Sequence, residues 1–210
     1  MALINQASKE IQVKVVYYGP ALCGKTTNLV KVHENVQVAG DKGKLVSLAN
    51  QTSDRTLFFD FLPIEAMSIK GYKTKFQLYT VPGQVIYNTT RQLVLRGVDG
   101  IVFVADSQYD KMSENVESFA NLEENLRALK LNIADIPYVL QYNKRDLPNV
   151  APVDYMEFLL NNREVQVPSF EAAAPKCEGV FETLNMITRM LLHKLLSQTS
   201  SPKPAAAVAA

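Results

Sequence analysis

Residues 19–26 constrain this 210-residue chain more than any other stretch, because they read Gly-Pro-Ala-Leu-Cys-Gly-Lys-Thr. This is the pattern G-x-x-x-x-G-K-[ST], and it lies between the apolar run 11–18 and a helix-like stretch. In that setting the backbone N–H groups curl inward, and the start of the helix adds its positive dipole end. The pattern therefore predicts a nucleotide site in which Lys25 reaches the outer phosphates and the Thr26 hydroxyl ligates Mg²⁺.

A second polar motif indicates which base is bound. Residues 143–146 read Asn-Lys-Arg-Asp and follow the strand-like stretch 138–142. The Asp146 carboxylate can accept hydrogen bonds from N1–H and the exocyclic amine of guanine, whereas adenine would leave it facing an acceptor. A site built on such a polar pair strongly rejects the ligand that lacks the partner groups. Lys144 can lie along the base, and Asn143 can tie this loop to the phosphate loop.

Composition favours one cytoplasmic domain without a nucleic-acid partner. The formal net charge is +1 with 20% charged residues, which gives no electrostatic reason to expect binding to nucleic acid. Two cysteines predict reduced thiols and no disulfide framework. We expect no secretion signal, no membrane span and no prenylation box, so that membrane contact would depend on partners.

Strand-like and helix-like stretches alternate along the chain. We predict strands at 11–18, 44–48, 57–62, 73–80, 98–106, 137–143 and 169–174, and helices at 25–38, 115–129, 152–160 and 180–196. A further helix-like stretch ends near Arg96. This alternation predicts an α/β domain over residues 1–197, with a mostly parallel sheet covered by helices on both faces. The Ser/Pro/Ala-rich residues 198–210 are predicted to form a disordered tail.

The motifs carry a family resemblance. The chain resembles the Ras-like P-loop GTPases, and closely the bacterial MglA family of cell-polarity and motility GTPases, over residues 4 to about 196. The matching stretches include Cys23-Gly-Lys-Thr-Thr-Asn-Leu, Tyr79-Thr-Val-Pro-Gly-Gln and Gln141-Tyr-Asn-Lys-Arg-Asp. The resemblance implies that the following residues line the nucleotide site: Gly19, Ala21, Leu22, Cys23, Gly24, Lys25, Thr26, Thr27, Thr56, Gly83, Asn143, Lys144, Asp146, Ala173 and Ala174.

Two loops are expected to sense the third phosphate. Gly83 follows a strand, so its N–H can bond the γ-phosphate while Gln84 orients the attacking water; the alternative is a simple Pro-Gly turn. By resemblance, Thr56 would touch Mg²⁺ and the γ-phosphate, although Thr52 remains a second candidate. Arg55 would then be a built-in arginine finger, an effect worth about 10³–10⁵ in rate, or else an exposed loop arginine.

Three positions depart from the family pattern. Thr80 stands where most small GTPases have an Asp near Mg²⁺, so Asp60 either supplies the missing carboxylate or is a solvated strand residue. Ala21 stands where the family has Gly, and its methyl would crowd Gln84 or Arg55. Residues 173–175 read Ala-Ala-Pro rather than Ser-Ala-Lys, which leaves only backbone N–H groups for the guanine carbonyl.

The resemblance implies a switch that binds GTP or GDP with Mg²⁺ and hydrolyses GTP slowly. It also implies an activating partner of the MglB roadblock type, polarity or motility effectors, and recruitment to a cell pole. Ala21 and Thr80 motivate the alternative of a GTP-dependent scaffold that does not hydrolyse. A P-loop nucleotide kinase is a third possibility, but it leaves residues 143–146 without a purpose.

Overall fold

A single long strand, β2 (Glu10–Tyr18), lies at the centre of the sheet and leads into the phosphate loop. The structure is a computed structural model that describes residues 3–35, 46–47, 60–69, 71–83, 87–163 and 165–200. The other strands are β1 (Leu3–Asn5), β3 (Val46–Ser47), β4 (Asp60–Ile69), β5 (Tyr72–Thr80), β6 (Gly100–Asp106), β7 (Tyr138–Asn143) and β8 (Ser169–Glu171). The helices are α1 (Lys25–Asn35), α2 (Asn88–Leu95), α3 (Met112–Ala128), α4 (Val153–Leu160) and α5 (Val180–Ser200).

The described strands form one sheet in the order β3-β4-β5-β2-β6-β7-β8, and β1 pairs with the start of β2. From β5 to β8 every neighbouring pair is parallel, whereas β1, β3 and β4 join in antiparallel fashion. The carboxyl ends of β2, β5, β6 and β7 therefore meet at one edge, where ligands of open α/β sheets bind. The predicted α/β class with a mostly parallel sheet is confirmed.

Helices cover both faces because the central strands are apolar on both sides. All seven residues of β6 are buried, as expected for an interior parallel strand. Successive residues of β2 enter opposite cores, with Tyr18 packing beside α3 and Tyr17 packing beside α1 and α5. Polar side chains that reach these cores are consequently shielded from water, and several of them lie near the nucleotide motifs.

Most element bounds agree with the sequence prediction, and the differences have local causes. β4 continues to Ile69, seven residues beyond the predicted end, because it pairs along nearly the whole of β5. β8 ends at Glu171 rather than 174, since residues 174–176 form a 3₁₀ turn. α5 continues to Ser200 and so overlaps the predicted tail, while residues 201–210 lie outside the described residues. Strand β1 was not predicted.

Among the helices that the structure describes, none combines the length and the apolar character needed to cross a bilayer.

Candidate functional site

The phosphate loop is built on three residues with positive φ. Gly19 has φ +144°, and a Cβ there would lie 2.1 Å from the Val104 carbonyl oxygen. Leu22 has φ +60° and is 90% exposed, and Gly24 has φ +102°. The close approach of Gly19 to β6 explains why this position requires glycine. The loop thus turns sharply between the end of β2 and the start of α1.

Lys25 is buried at the first position of α1, with its ammonium drawn across the loop. Its Nζ donates to the carbonyl oxygens of Gly19 at 2.9 Å and Pro20 at 2.6 Å, and lies 3.6 Å from the Cys23 Sγ. Burial raises the pKa of the Cys23 thiol, and the nearby Lys25 ammonium acts in the opposite direction. Thr26 is exposed and Thr27 half-buried on the same turn. The predicted phosphate-contacting groups therefore stand together at the end of β2.

Asn143 links the two predicted motifs directly. Its Nδ2 donates to the Cys23 carbonyl at 2.8 Å, and its Oδ1 accepts from the Ala174 N–H at 3.0 Å. One buried side chain at the end of β7 thus connects the phosphate loop, the residue 143–146 loop and the 173–176 turn. The geometry agrees with the link expected between the first two.

Lys144 makes a contact that the sequence analysis did not anticipate. Its Nζ lies 2.6 Å from Oδ2 of Asp106, which is 1% exposed at the end of β6. The other carboxylate oxygen accepts from the Gln108 N–H at 3.1 Å. Lys144 itself has φ +68°. The ion pair therefore fixes the start of the residue 143–146 loop, the predicted base loop, against the neighbouring strand. The only sequence signal was an acidic residue ending an apolar run.

The remaining base-side residues differ in what they offer a ligand. Asp146 is exposed, while its neighbour Arg145 is held by Glu171 at 2.8 Å and the Ala151 carbonyl at 2.6 Å. The N–H of Ala174 donates to Asn143, and the N–H of Ala173 donates to the Glu178 carbonyl at 3.1 Å. Both N–H groups expected to reach a guanine carbonyl are thus engaged within the protein, so either would have to share its hydrogen.

Gly83 packs tightly on the phosphate loop. A Cβ at this position would lie 2.3 Å from the Cα and 3.0 Å from the Cβ of Ala21. Only glycine fits there without moving the phosphate loop. Among the described residues, the Ala21 methyl therefore lies close to Gly83. Gln84 and Arg55, which it was expected to crowd, lie outside the described residues.

Arg91 holds the residues around this contact and was missed by the sequence analysis. Its side chain on α2 is fully buried, and it donates from Nε to the Pro82 carbonyl at 2.9 Å and from Nη2 to the Gly83 carbonyl. Its Nη1 donates to Asn121 Oδ1, and its guanidinium lies 5.3 Å from the Tyr18 ring centroid. Within the described part of the chain, Arg91 meets carbonyl, amide and hydroxyl oxygens rather than a carboxylate.

Tyr18 completes this network from β2. Its hydroxyl donates to Asn121 Oδ1 at 2.7 Å and accepts from Asn125 Nδ2 at 3.0 Å. Burial raises the pKa of Tyr18, although Arg91 partly offsets that effect. The network joins β2, α2 and α3 behind Gly83. No sequence motif predicts it, since its members lie on three elements that are far apart in the chain.

Several predicted residues fall outside what the structure describes. Thr52, Arg55, Thr56 and Gln84 lie there, and of Asp60 only the backbone is described. In the antiparallel pair of β4 and β5, Phe61 is opposite Tyr79, so position 60 stands next to position 80 in the register. Thr80 itself is buried. The described residues contain no group of three or more His, Cys, Asp or Glu side chains suited to a metal ion.

Comparisons with known proteins agree with this geometry. The family model described as the Ras family matches residues 14–193. The "Mutual gliding-motility protein MglA" of Myxococcus xanthus is 53% identical over 195 residues, covering 93% of this chain and 98% of that protein. Ras-related protein Rab-13 of Canis lupus familiaris is 25% identical, covering 86% of this chain and 80% of its own. Ras-related protein SEC4 of Saccharomyces cerevisiae is 26% identical, with coverages of 91% and 80%.

Proposed function

This chain belongs to the Ras family of small GTPases, and from that premise we propose that it is a switch that binds GTP or GDP with Mg²⁺ and hydrolyses GTP to GDP. The observation that carries the proposal is the hydrogen bond from Asn143 Nδ2 to the Cys23 carbonyl. It joins the predicted phosphate loop to the predicted base loop through one buried amide. A nucleotide ligand is the class that needs both loops at this spacing.

Guanine is the base that the exposed carboxylate of Asp146 favours. N1–H and the 2-amino group of guanine are two donors, and a carboxylate accepts two hydrogen bonds. Lys144 would lie along the base while its ammonium remains beside Asp106 at 2.6 Å. The turn that carries Ala173 and Ala174 would border the guanine carbonyl.

The donor set near Lys25 suits Mg²⁺, which prefers hard oxygen ligands and keeps several waters. The exposed Thr26 hydroxyl would be one such ligand, and Thr56 would be the second. Thr80 is neutral, so a carboxylate must come from elsewhere. The register that sets position 60 beside position 80 supports Asp60 in this role. When bound, the ion would neutralise phosphate charge and orient the β- and γ-phosphates.

Hydrolysis would depend on the two loops expected to sense the third phosphate, one with Arg55 and the other with Gly83 and Gln84. Gln84 would orient the attacking water, Arg55 would stabilise charge on the transferred phosphoryl group, and the Gly83 N–H would bond the γ-phosphate. The contact between Gly83 and Ala21 supports a γ-phosphate sensor at this position, because it holds Gly83 on the phosphate loop. Loss of the γ-phosphate would release these contacts and change which partners bind.

The cellular role follows from similarity alone. The Myxococcus xanthus relative is named as a gliding-motility protein, and its identity and coverage support a motility or polarity role for this chain. We extend this to an MglB-like roadblock activating protein, to effectors that bind one nucleotide state, and to a cytoplasmic protein recruited to a cell pole. Stimulation would reposition Arg55 and Gln84 without an arginine from the partner.

Calorimetry and phosphate release test the proposal together. Purified protein with Mg²⁺ should bind GDP and GTP much more tightly than ATP, and equal or tighter binding of ATP would reject it. Single-turnover phosphate release should be slow alone, faster with an MglB-like partner, and abolished by Gln84→Leu, a variant that still binds GTP. If GTP binds but both rates stay at the buffer background, the chain is a GTP-dependent scaffold, the alternative that Ala21 and Thr80 favour.

A further inference from the structure

Two successive peptides of the phosphate loop have their carbonyl groups held from behind. In a trans peptide the C=O and N–H point in opposite directions. Whatever holds the Cys23 carbonyl therefore aims the Gly24 N–H, and whatever holds the Gly24 carbonyl aims the Lys25 N–H. Such N–H groups are what a phosphate loop offers to an anion.

A side-chain amide holds each of these carbonyls. Asn143 Nδ2 donates to the Cys23 carbonyl at 2.8 Å. Asn28 Nδ2 donates to the Gly24 carbonyl at 3.0 Å, where the Asn28 backbone N–H also donates at 3.0 Å. The Gly24 carbonyl thus receives one hydrogen bond more than the helix ladder alone would provide.

Strand β7 carries one of these amides, Asn143, and also Gln141, which donates to the other, Asn28. The Asn143 Oδ1 accepts from the Ala174 N–H, whereas the Asn28 Oδ1 accepts from Nε2 of Gln141 at 3.0 Å. Gln141 precedes Asn143 by two positions, so the two side chains leave the same face of the strand. The second hydrogen of Gln141 Nε2 goes to Thr183 Oγ1 at 3.0 Å, which itself donates to the Gly179 carbonyl.

The hydrogen-bonded chain of Asn28, Gln141 and Thr183 does not maximise the stability of the core around it. Asn28, Gln141 and Thr183 are each fully buried, and Oε1 of Gln141 has no hydrogen-bond partner among the described residues. A buried polar atom without a partner destabilises the fold, whereas apolar residues of similar shape at both ends of such a bond can be neutral or stabilising. The arrangement is therefore better explained by what it positions than by stability.

We infer that Asn28, Gln141 and Thr183 are positioning residues that orient the Gly24–Lys25 peptide of the phosphate loop and couple the residue 143–146 loop to that peptide. The chain of donors runs in one direction, from Gln141 to Asn28 and from Asn28 to the Gly24 carbonyl. It acts beside Asn143 rather than through it. The inference rests on the proposed nucleotide switch, because it assigns these residues to that same site.

Release of a fluorescent GDP analogue from the full chain with Mg²⁺ tests the inference. Asn28→Ala should release the analogue about tenfold faster, which corresponds to about 1.4 kcal/mol. Gln141→Leu should show a smaller acceleration by itself. In the Asn28→Ala background it should add almost nothing, because Gln141 acts through Asn28. A general loss of stability would instead accelerate release in every variant in proportion to its loss in the free energy of unfolding.

Asn161→Ala is the matched control. Asn161 is also a buried asparagine whose side chain holds backbone, at the Val167 N–H and carbonyl, but it lies at the end of α4. It should lower stability without changing release. If the unaltered protein binds GDP tightly, equal release rates for Asn28→Ala and Asn161→Ala would overturn the inference. Failure of the unaltered protein to bind GDP would instead reject the proposed function, and this inference with it. If Asn28→Ala does not fold, Thr183→Val, which keeps the shape, decides by the same comparison.

Discussion

Two buried charges flank the site, and the protein accommodates them in different ways. On the base side, Asp106 faces the opposite charge of Lys144 at 2.6 Å. On the side of the Gly83 turn, which we call the switch side, Arg91 is buried. It contacts the carbonyls of Pro82 and Gly83, the amide of Asn121 and the ring of Tyr18. The first is an ion pair at the carboxyl end of strand β6. The second is a cation held by neutral dipoles.

The difference indicates what each charge positions. A lone carboxylate such as Asp106 needs a cation, and the cation here belongs to a residue that would also contact the base. A guanidinium has five donors in a planar fork, so it can satisfy several carbonyls of a turn at once. Arg91 thereby holds the turn that leads into the Gly83 contact. The proposed base recognition is thus linked to a charge pair, and the turn at Pro82 and Gly83 to hydrogen-bond geometry.

Breaking the charge pair should produce the larger loss. Lys144→Met keeps most of the side-chain volume but leaves the buried Asp106 carboxylate without its cation. We expect the free energy of unfolding, measured by urea denaturation without nucleotide, to fall by about 3 kcal/mol, the low end for a buried pair. The low end applies because the Lys144 side chain is 22% exposed.

The double variant Lys144→Met with Asp106→Asn provides the control. Asparagine at 106 can still accept from the Gln108 N–H while carrying no charge. The double variant should therefore recover at least half of the lost stability. No recovery would mean that packing of the Lys144 stem, rather than its charge, holds the base loop.

Removing the cation on the switch side should cost less. Arg91→Met leaves the carbonyls of Pro82 and Gly83 without donors, but Gly83 is only half-buried and its carbonyl can be hydrated. We expect a loss of about 2 kcal/mol in the same denaturation experiment. Arg96→Met, at an exposed arginine after the same helix, should change stability by less than about 0.5 kcal/mol. Equal losses for the two arginines would contradict the role given to Arg91.

The sequence predicted the two motifs of the site better than the buried charges that flank them. The phosphate loop and residues 143–146 are contiguous motifs whose spacing reflects a local turn, so their meeting at one sheet edge followed from strand order. Asp106 ends an apolar strand and Gln141 lies inside one, whereas Arg91 lies among polar residues at the start of α2. Most of their partners are on other elements. The contacts depend on which helix packs against which strand, and the periodicity of one segment does not encode that. A glutamine inside the buried strand β7 was the one visible anomaly.

The two adjacent tyrosines of β2 repeat the contrast on a smaller scale. The Tyr18 hydroxyl belongs to the Arg91 network, whereas the Tyr17 hydroxyl is buried and has no hydrogen-bond partner in the part of the chain that the structure describes. Tyr18→Phe should cost about 1 kcal/mol, since Asn125 keeps other acceptors while Asn121 loses a donor. Tyr17→Phe should leave stability at pH 7 unchanged or slightly raised. A loss of equal size in both variants would show that the network adds nothing to tyrosine burial.

The stability difference between Tyr17→Phe and the unaltered protein isolates Tyr17 at alkaline pH. Burial raises the pKa of Tyr17 above its ordinary value near 10, so in the folded protein the phenol stays protonated where the unfolded chain has lost the proton. Above pH 10 the unfolded state binds fewer protons, and the free energy of unfolding falls as pH rises, by at most about 1.4 kcal/mol per pH unit for this group. Below pH 10 both states are protonated and the group has no effect.

Burial lowers the pKa of Lys14, and this shift raises the free energy of unfolding as pH rises. Because both proteins contain Lys14, its contribution cancels in the difference between them. Tyr17→Phe should therefore gain stability relative to the unaltered protein between pH 10 and 11, measured by urea denaturation at each pH. A constant difference across that interval would mean that the Tyr17 hydroxyl reaches water before the chain unfolds.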